Sequence, residues 1–160
     1  MSDAQTLRIR PAQPGDADAA IDVVRASITR LCTADHWNDE ATLAQWLANK
    51  TAENFRSWIA NADNFCVIAE DADTLAGVGL LHRSGEIRLF YLAPNAQRHG
   101  IGRTIHSALE RKARAWELPA LHLESTAFAC RFYEAMGYHR DGAVKARFGV
   151  LQCHPYRKAL

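Results

Sequence analysis

A single mixed sheet, mostly antiparallel and flanked by helices, is the fold class this sequence predicts, an α/β (α+β) arrangement. Three observations carry that expectation. Strand and helix patterning are interleaved irregularly, unlike the even βα alternation of a doubly wound sheet. No internal repeat or low-complexity linker divides the 160 residues. Each helical stretch has one apolar side, which needs a sheet to cover it. At this length a chain that is 48% hydrophobic can bury one sizeable core. The expectation is one domain over residues 1–160 with a sheet of six to seven strands.

The elements follow in order. Leu7-Arg8-Ile9-Arg10 alternates as a strand does, and Pro11, Pro14 and Gly15 end it. A helical pattern runs from Ala17 to Leu31 through Ala20, Val23, Val24, Ser27 and Ile28. The segment TADHWND reads as a polar break, followed by helical patterning over Glu40 to Lys50 and Glu53 to Ile59. FCVIAE (65–70) and LAGVGLLH (75–82) read as a hairpin around a DAD turn. After Ser84-Gly85, EIRLFYLA (86–93) is a third strand, stopped by Pro94. Gly100 begins a strongly amphipathic helix, LHLES (121–125) is a short strand, and Ala127 to Met136 is a short helix. Strands around Tyr138–Arg140 and Arg147–Cys153 finish the order.

Composition excludes several classes of partner. A formal net charge of +1 with dispersed arginines offers no continuous basic groove for nucleic acid. No apolar run approaches a membrane span, and MSDAQTLRIR has no signal-like apolar segment before its first charges. Cys32, Cys66, Cys130 and Cys153 are scattered, without C-x-x-C spacing, and no cluster is spaced for a structural metal. A reducing, cytoplasmic setting and no metal are the expectations.

The stretch Gln97-Arg98-His99-Gly100-Ile101-Gly102 places a glycine-bearing turn between a strand and a long helix. A helix start leaves backbone N–H groups unpaired beside the positive end of the dipole, which suits a phosphate. Glycine lets the backbone come close to it. The spacing fits neither a Walker loop, since Arg103 and Thr104 follow Gly102, nor a dinucleotide fingerprint, since Ile105 stands where a third glycine belongs. By itself the turn is equally well read as an eased helix start without a ligand.

A second pattern follows about thirty residues later: Ala129-Cys130-Arg131-Phe132-Tyr133-Glu134-Ala135-Met136-Gly137-Tyr138. Together, Q/R-x-x-G-x-G/A after a strand ending in Leu92-Ala93-Pro94, and A-x-x-F-Y-x-x-x-G-F/Y later, resemble the GNAT family of GCN5-related N-acetyltransferases. The resemblance covers Leu7 to about Leu151. It implies splayed central strands and acetyl-CoA as co-substrate. Gln97 to Gly102 and Arg103 would meet the diphosphate, with Arg98 and His99 beside its phosphates, and Phe90-Tyr91-Leu92 would lie along the pantetheine arm. Ile101, Thr126 and Phe132 would complete the cofactor-binding set. Tyr133 would be the general acid that gives the leaving thiolate its proton.

Other roles implied by the resemblance remain open on the residues alone. Glu86 is the candidate base, or equally a solvated strand end, with Glu124 and the Asp35-His36 pair as rivals. Where relatives often have asparagine, seven residues before the tyrosine, this chain has Thr126, a group with fewer hydrogen bonds to give. An amine acceptor, from a small molecule or peptide, is expected near TADHW, at Asp35, His36, Trp37 and Glu124. Asp39 and Glu40 add negative charge there, while Trp37 and Trp46 are either acceptor contacts or core. The alternative to an enzyme is a non-catalytic acyl-CoA-binding or sensor module. Self-association as a homodimer is a further family expectation.

Overall fold

A computed structural model describes residues 7–96 and 100–160. Strands β1 (Leu7–Pro11), β2 (Asn64–Asp71), β3 (Thr74–His82) and β4 (Ile87–Leu92) form an antiparallel meander. Before β2 the chain makes helices α1 (Ala17–Leu31), α2 (Thr33–His36), α3 (Glu40–Leu47) and α4 (Ala52–Ala60). After β4 come α5 (Ile101–Ala115), β5 (Ala120–Ser125), α6 (Cys130–Ala135), β6 (His139–Arg140), β7 (Lys145–Arg147) and β8 (Leu151–Ala159). The second half of the sheet has order β5-β8-β6, with β7 also on β8.

Side chains alternate across the sheet, so successive residues enter different cores. Val67 and Ala69 join α5 and α6 on one face, with Ile105, Leu109, Tyr133 and Tyr138. Cys66 and Ile68 join the helices before β2 on the other, with Val24, Ile28, Trp46 and Phe55. Burial on both faces explains why β2 and β3 read as continuous apolar runs. Gly77 and Gly79 let α5 lie close on β3, since a Cβ at either would come within 2.7 or 2.6 Å of Ile105.

The fold class and most element positions agree with the sequence reading, and the differences are instructive. The sheet is divided into two four-stranded halves among the described residues. They meet at one parallel bridge, Glu86 to His122, where the His122 N–H donates to the Gly85 carbonyl at 3.0 Å. Gly85 has φ +96°, and a Cβ there would stand 2.6 Å from the Ala120 carbonyl oxygen. The seam therefore closes only around glycine, and beyond it β4 and β5 part.

The expected strand over Arg147–Cys153 is a hairpin instead. Phe148 and Gly149 take left-handed backbone, with φ 53° and 98°, and reverse the chain. Its second arm, β8, continues through Pro155 to Ala159 and pairs with β5 along its length. TADHWND contains a helical turn rather than a simple break, ended by left-handed Trp37 and Asn38. α6 starts three residues later than expected because residues 126–129 form a separate hydrogen-bonded turn.

Candidate active site

Where β4 and β5 separate, a cavity of about 310 Å³ opens between α1, α6 and the two strands. Phe90, Tyr91 and Leu92 form one wall, and Leu123 to Thr126 form the opposite one. Gly102, in the first turn of α5, also lines the cavity, as do Ser27, Leu31 and Cys32 of α1 and its C-cap.

The first turn of α5 is open to an anion. Gly100 is left-handed at φ 76° with nothing within 4 Å of the position a Cβ would take. Helical bonding begins with Thr104 N–H to the Gly100 carbonyl, so the preceding N–H groups have no acceptor within the helix. As N-cap, Gly100 has no side chain to cap this end, and no acidic residue lies in its first turn. Gly102 packs on Phe132, whose ring would be 3.1 Å from an added Cβ. Ile101 is buried core, and Arg103 is exposed with its guanidinium 3.7 Å from the Met136 sulfur. Gln97, Arg98 and His99 lie outside the described residues.

Tyr133 lines the cavity at 5% exposure, with its ring against Phe90, Phe132 and Tyr138 at centroid distances of 5.3 to 5.9 Å. Its hydroxyl makes no hydrogen bond to any described residue. Burial, reinforced by the nearby Tyr91 and Cys130, pushes the phenol well above its ordinary value, so it carries its proton. Behind it, the Tyr138 hydroxyl and His106 Nε2 are 2.7 Å apart, both buried. Burial lowers the His106 pKa to about 4, which keeps the imidazole neutral. The Cys32 thiol in the cavity is pushed up to about 12, chiefly by burial, and so stays protonated. A thiol in that state is a poor nucleophile.

The carboxylates expected to serve chemistry or capture are engaged elsewhere. Glu86 lies at the seam, paired with Arg88 Nε at 2.6 Å, and the neighbours that line the cavity are Ile87 and Arg88. Asp35 is 4% exposed and accepts the Ala127 N–H at 2.7 Å and the Phe128 N–H at 3.3 Å. His36 is fully buried, with Nε2 on the Thr29 carbonyl at 3.1 Å and Nδ1 accepting the Asn38 N–H at 2.9 Å. That pattern fixes a neutral ring with both nitrogens occupied. Asp39 caps α3, bonded to the Thr42 N–H and hydroxyl at 2.9 and 2.7 Å. Glu124 does line the cavity, but Arg147 grips it at 2.8 and 2.9 Å and Lys145 stands 3.4 Å away. The Arg147 hydrogen bonds are the main cause of its lowered pKa, which makes it a weak base.

Trp46 is core, whereas Trp37 is 74% exposed and lines a neighbouring groove with Val150 and Gln152. Thr126 holds its own turn, its hydroxyl accepting the Ala129 N–H at 3.2 Å. Phe128, Arg88, Arg147 and His106 were not among the site residues the sequence suggested. Only Phe128, an aromatic in the short ESTAFAC link between strand and helix, had a local signal.

Comparisons with known proteins agree with this geometry. A family model described as an acetyltransferase (GNAT) domain matches residues 32–160. No curated protein matches the sequence. Among solved structures, a GCN5-related N-acetyltransferase from Rhodopseudomonas palustris superposes with a TM-score of 0.86 at 23% identity, over 98% of this chain and 97% of that one. PaiA N-acetyltransferase from Thermoplasma acidophilum, solved in complex with coenzyme A, gives 0.83 at 20% identity over all of both chains. A ribosomal-protein-alanine N-acetyltransferase from Brucella melitensis gives 0.73 at 22% identity, over 96% of this chain and 99% of that one. The signatures, the parted strands and the matched family model lead to one conclusion: the chain belongs to the GNAT acetyltransferase domain family.

Proposed function

We propose that the chain acts as one domain that moves an acetyl group from acetyl-CoA to a primary amine by direct attack, with Tyr133 as general acid. The observation that carries this reading is Tyr133 itself, a buried, protonated phenol without a hydrogen-bond partner among the described residues, on the wall of the cavity between β4 and β5. The PaiA structure, with coenzyme A bound to the same fold, supports the choice of co-substrate.

Acetyl-CoA supplies the activated acetyl thioester. The open first turn of α5 at Gly100 and Gly102 receives the diphosphate through backbone N–H groups, joined by Arg103 and by Gln97, Arg98 and His99. Phe90, Tyr91 and Leu92 flank the pantetheine arm, with Phe132 and Thr126 across from them. The acceptor gives its ammonium proton to solvent before attack, because Glu86, Asp35, His36 and Glu124 are all engaged in internal contacts. As the C–N bond forms and the C–S bond breaks, the Tyr133 hydroxyl protonates the departing sulfur. The proton shed by nitrogen on amide formation restores the phenol through water. Protonated Cys32 leaves no competing thiolate, which favours direct transfer over an acyl-enzyme.

Free-thiol release from acetyl-CoA across a panel of amines tests the reading, with mass spectrometry locating the acetyl group. Acetylation of an amine nitrogen is the expected result. Transfer only to alcohols or thiols would overturn it.

A further inference from the structure

The lining of the cavity has a chemistry of its own. Leu31, Ile87, Leu123 and Phe128 give it apolar walls. Phe128 is 50% exposed at the mouth, where a large aromatic loses hydration free energy unless something covers it. Among the described residues of the lining the one carboxylate, Glu124, is held by two hydrogen bonds from Arg147 with Lys145 beside it. Arg88, the one cation among the described residues of the lining, uses its Nε on Glu86. Among the described residues, therefore, no unpaired anion lines the space.

One small polar group does face it. Ser27, on the buried side of α1, is 4% exposed and lines the cavity. Its hydroxyl has no hydrogen-bond partner among the described residues. The oxygen keeps some accessible surface in the cavity rather than being sealed in the core, so it can serve as a polar handle for a ligand on an otherwise apolar wall. Ser27 and Tyr133 both line the cavity, so a neutral amine at the acetyl group can donate an N–H to the serine oxygen, keeping its lone pair for attack, while its carbon body rests on apolar walls.

We infer that the acceptor is a monoamine borne on an apolar alkyl or aryl group, with its nitrogen bonded by Ser27 and its carbon body seated against Phe128. This rests on the acetyl-transfer reading above and narrows its acceptor. A second ammonium, as in a diamine or polyamine, would enter without a free carboxylate to meet it. It would have to take Glu124 from a bidentate guanidinium, the stronger partner. The cavity, about 310 Å³, is at the small end of ligand sites and must also admit the thioester, which excludes enclosing an aminoglycoside.

The experiment compares kcat/KM for 2-phenylethylamine and 3-methylbutylamine with that for 1,4-diaminobutane and spermidine, in the parent, Ser27→Ala and Phe128→Ser. The expected result is at least a roughly tenfold preference for the apolar monoamines in the parent, the scale of a small apolar difference in a fitted pocket. Each variant should lose roughly tenfold for those amines, mainly through KM for Phe128→Ser, while the thermal shift given by acetyl-CoA is kept. Preference for the diamine or spermidine, or both variants within twofold of the parent, overturns the acceptor class and leaves acetyl transfer standing. Binding of acetyl-CoA with no amine acetylated overturns both.

Discussion

Asp35 Oδ1 accepts the Ala127 N–H at 2.7 Å, joining residues 92 positions apart in the chain. The contact ties α2 to the turn that leads into α6 and Tyr133. With its second oxygen on the Phe128 N–H, Asp35 satisfies two backbone donors that α6 does not use. Asp35→Ala should destabilise the fold by about 1–3 kcal/mol, the cost of leaving buried donors unmade. Asp35→Asn keeps one acceptor oxygen and should cost less. Urea denaturation of the two variants checks the order. Equal midpoints for Asp35→Ala and the parent would remove the clamp from the account.

Tyr133→Phe keeps the ring contacts with Phe90, Phe132 and Tyr138 and deletes one proton. We expect kcat to fall by roughly 10²- to 10⁴-fold, with the acetyl-CoA thermal shift retained. Steady-state rates within twofold of the parent would rule out an obligatory acid at this position.

Gly100 combines a left-handed backbone with empty space ahead of α5. Asparagine tolerates that backbone better than other side chains, whereas glutamate adds strain and a negative charge where the diphosphate is proposed. Acetyl-CoA should raise the melting temperature of the parent and of Gly100→Asn. For Gly100→Glu most of that shift should vanish. A full shift in folded Gly100→Glu would move the diphosphate elsewhere.

The buried His106–Tyr138 pair predicts a pH dependence of stability. Burial lowers the imidazole pKa from 6.5 to about 4, so between those values the unfolded chain binds the proton and the folded chain does not. The stabilisation is complete above 6.5 and is lost as pH falls toward 4. The parent should therefore lose stability between pH 7 and 5, and His106→Gln should lose distinctly less over the same interval, by guanidinium denaturation at both values. Identical losses would show that another group governs this window.

Local pattern was enough for most of the fold. α1 lies at Ala17–Leu31, the range its apolar spacing marks, and the β2–β3 hairpin and α5 lie within a residue or so of their patterns. These elements show because each buries one face or both against a partner, and that demand repeats along the chain at the period of the element. β8 was mostly hidden: Pro155, Arg157 and Lys158 argue locally against a strand, yet pairing with β5 on one side and with β6 and β7 on the other holds it extended. The division of the sheet at Gly85 was equally invisible, since it depends on how near Ala120 comes from a distant part of the chain.

The site divides along the same line. The sequence by itself marked the glycine ahead of α5 and the short helix that carries Phe132 and Tyr133, because a left-handed helix entry and a buried aromatic face each require particular residue types at short spacing. Tertiary structure alone decided the fate of the carboxylates. Asp35, Asp39, Glu86 and Glu124 look alike in a sequence as free negative charges. What each does depends on the donor folding brings to it: the Ala127 and Phe128 amides, Thr42, Arg88 and Arg147 respectively. A charge is recruited or neutralised by contacts a few ångströms away, and for Asp35 and Glu124 those come from 92 and 23 positions along the chain. The apolar walls of the cavity emerge for the same reason, as what remains in its lining once those charges have found their partners.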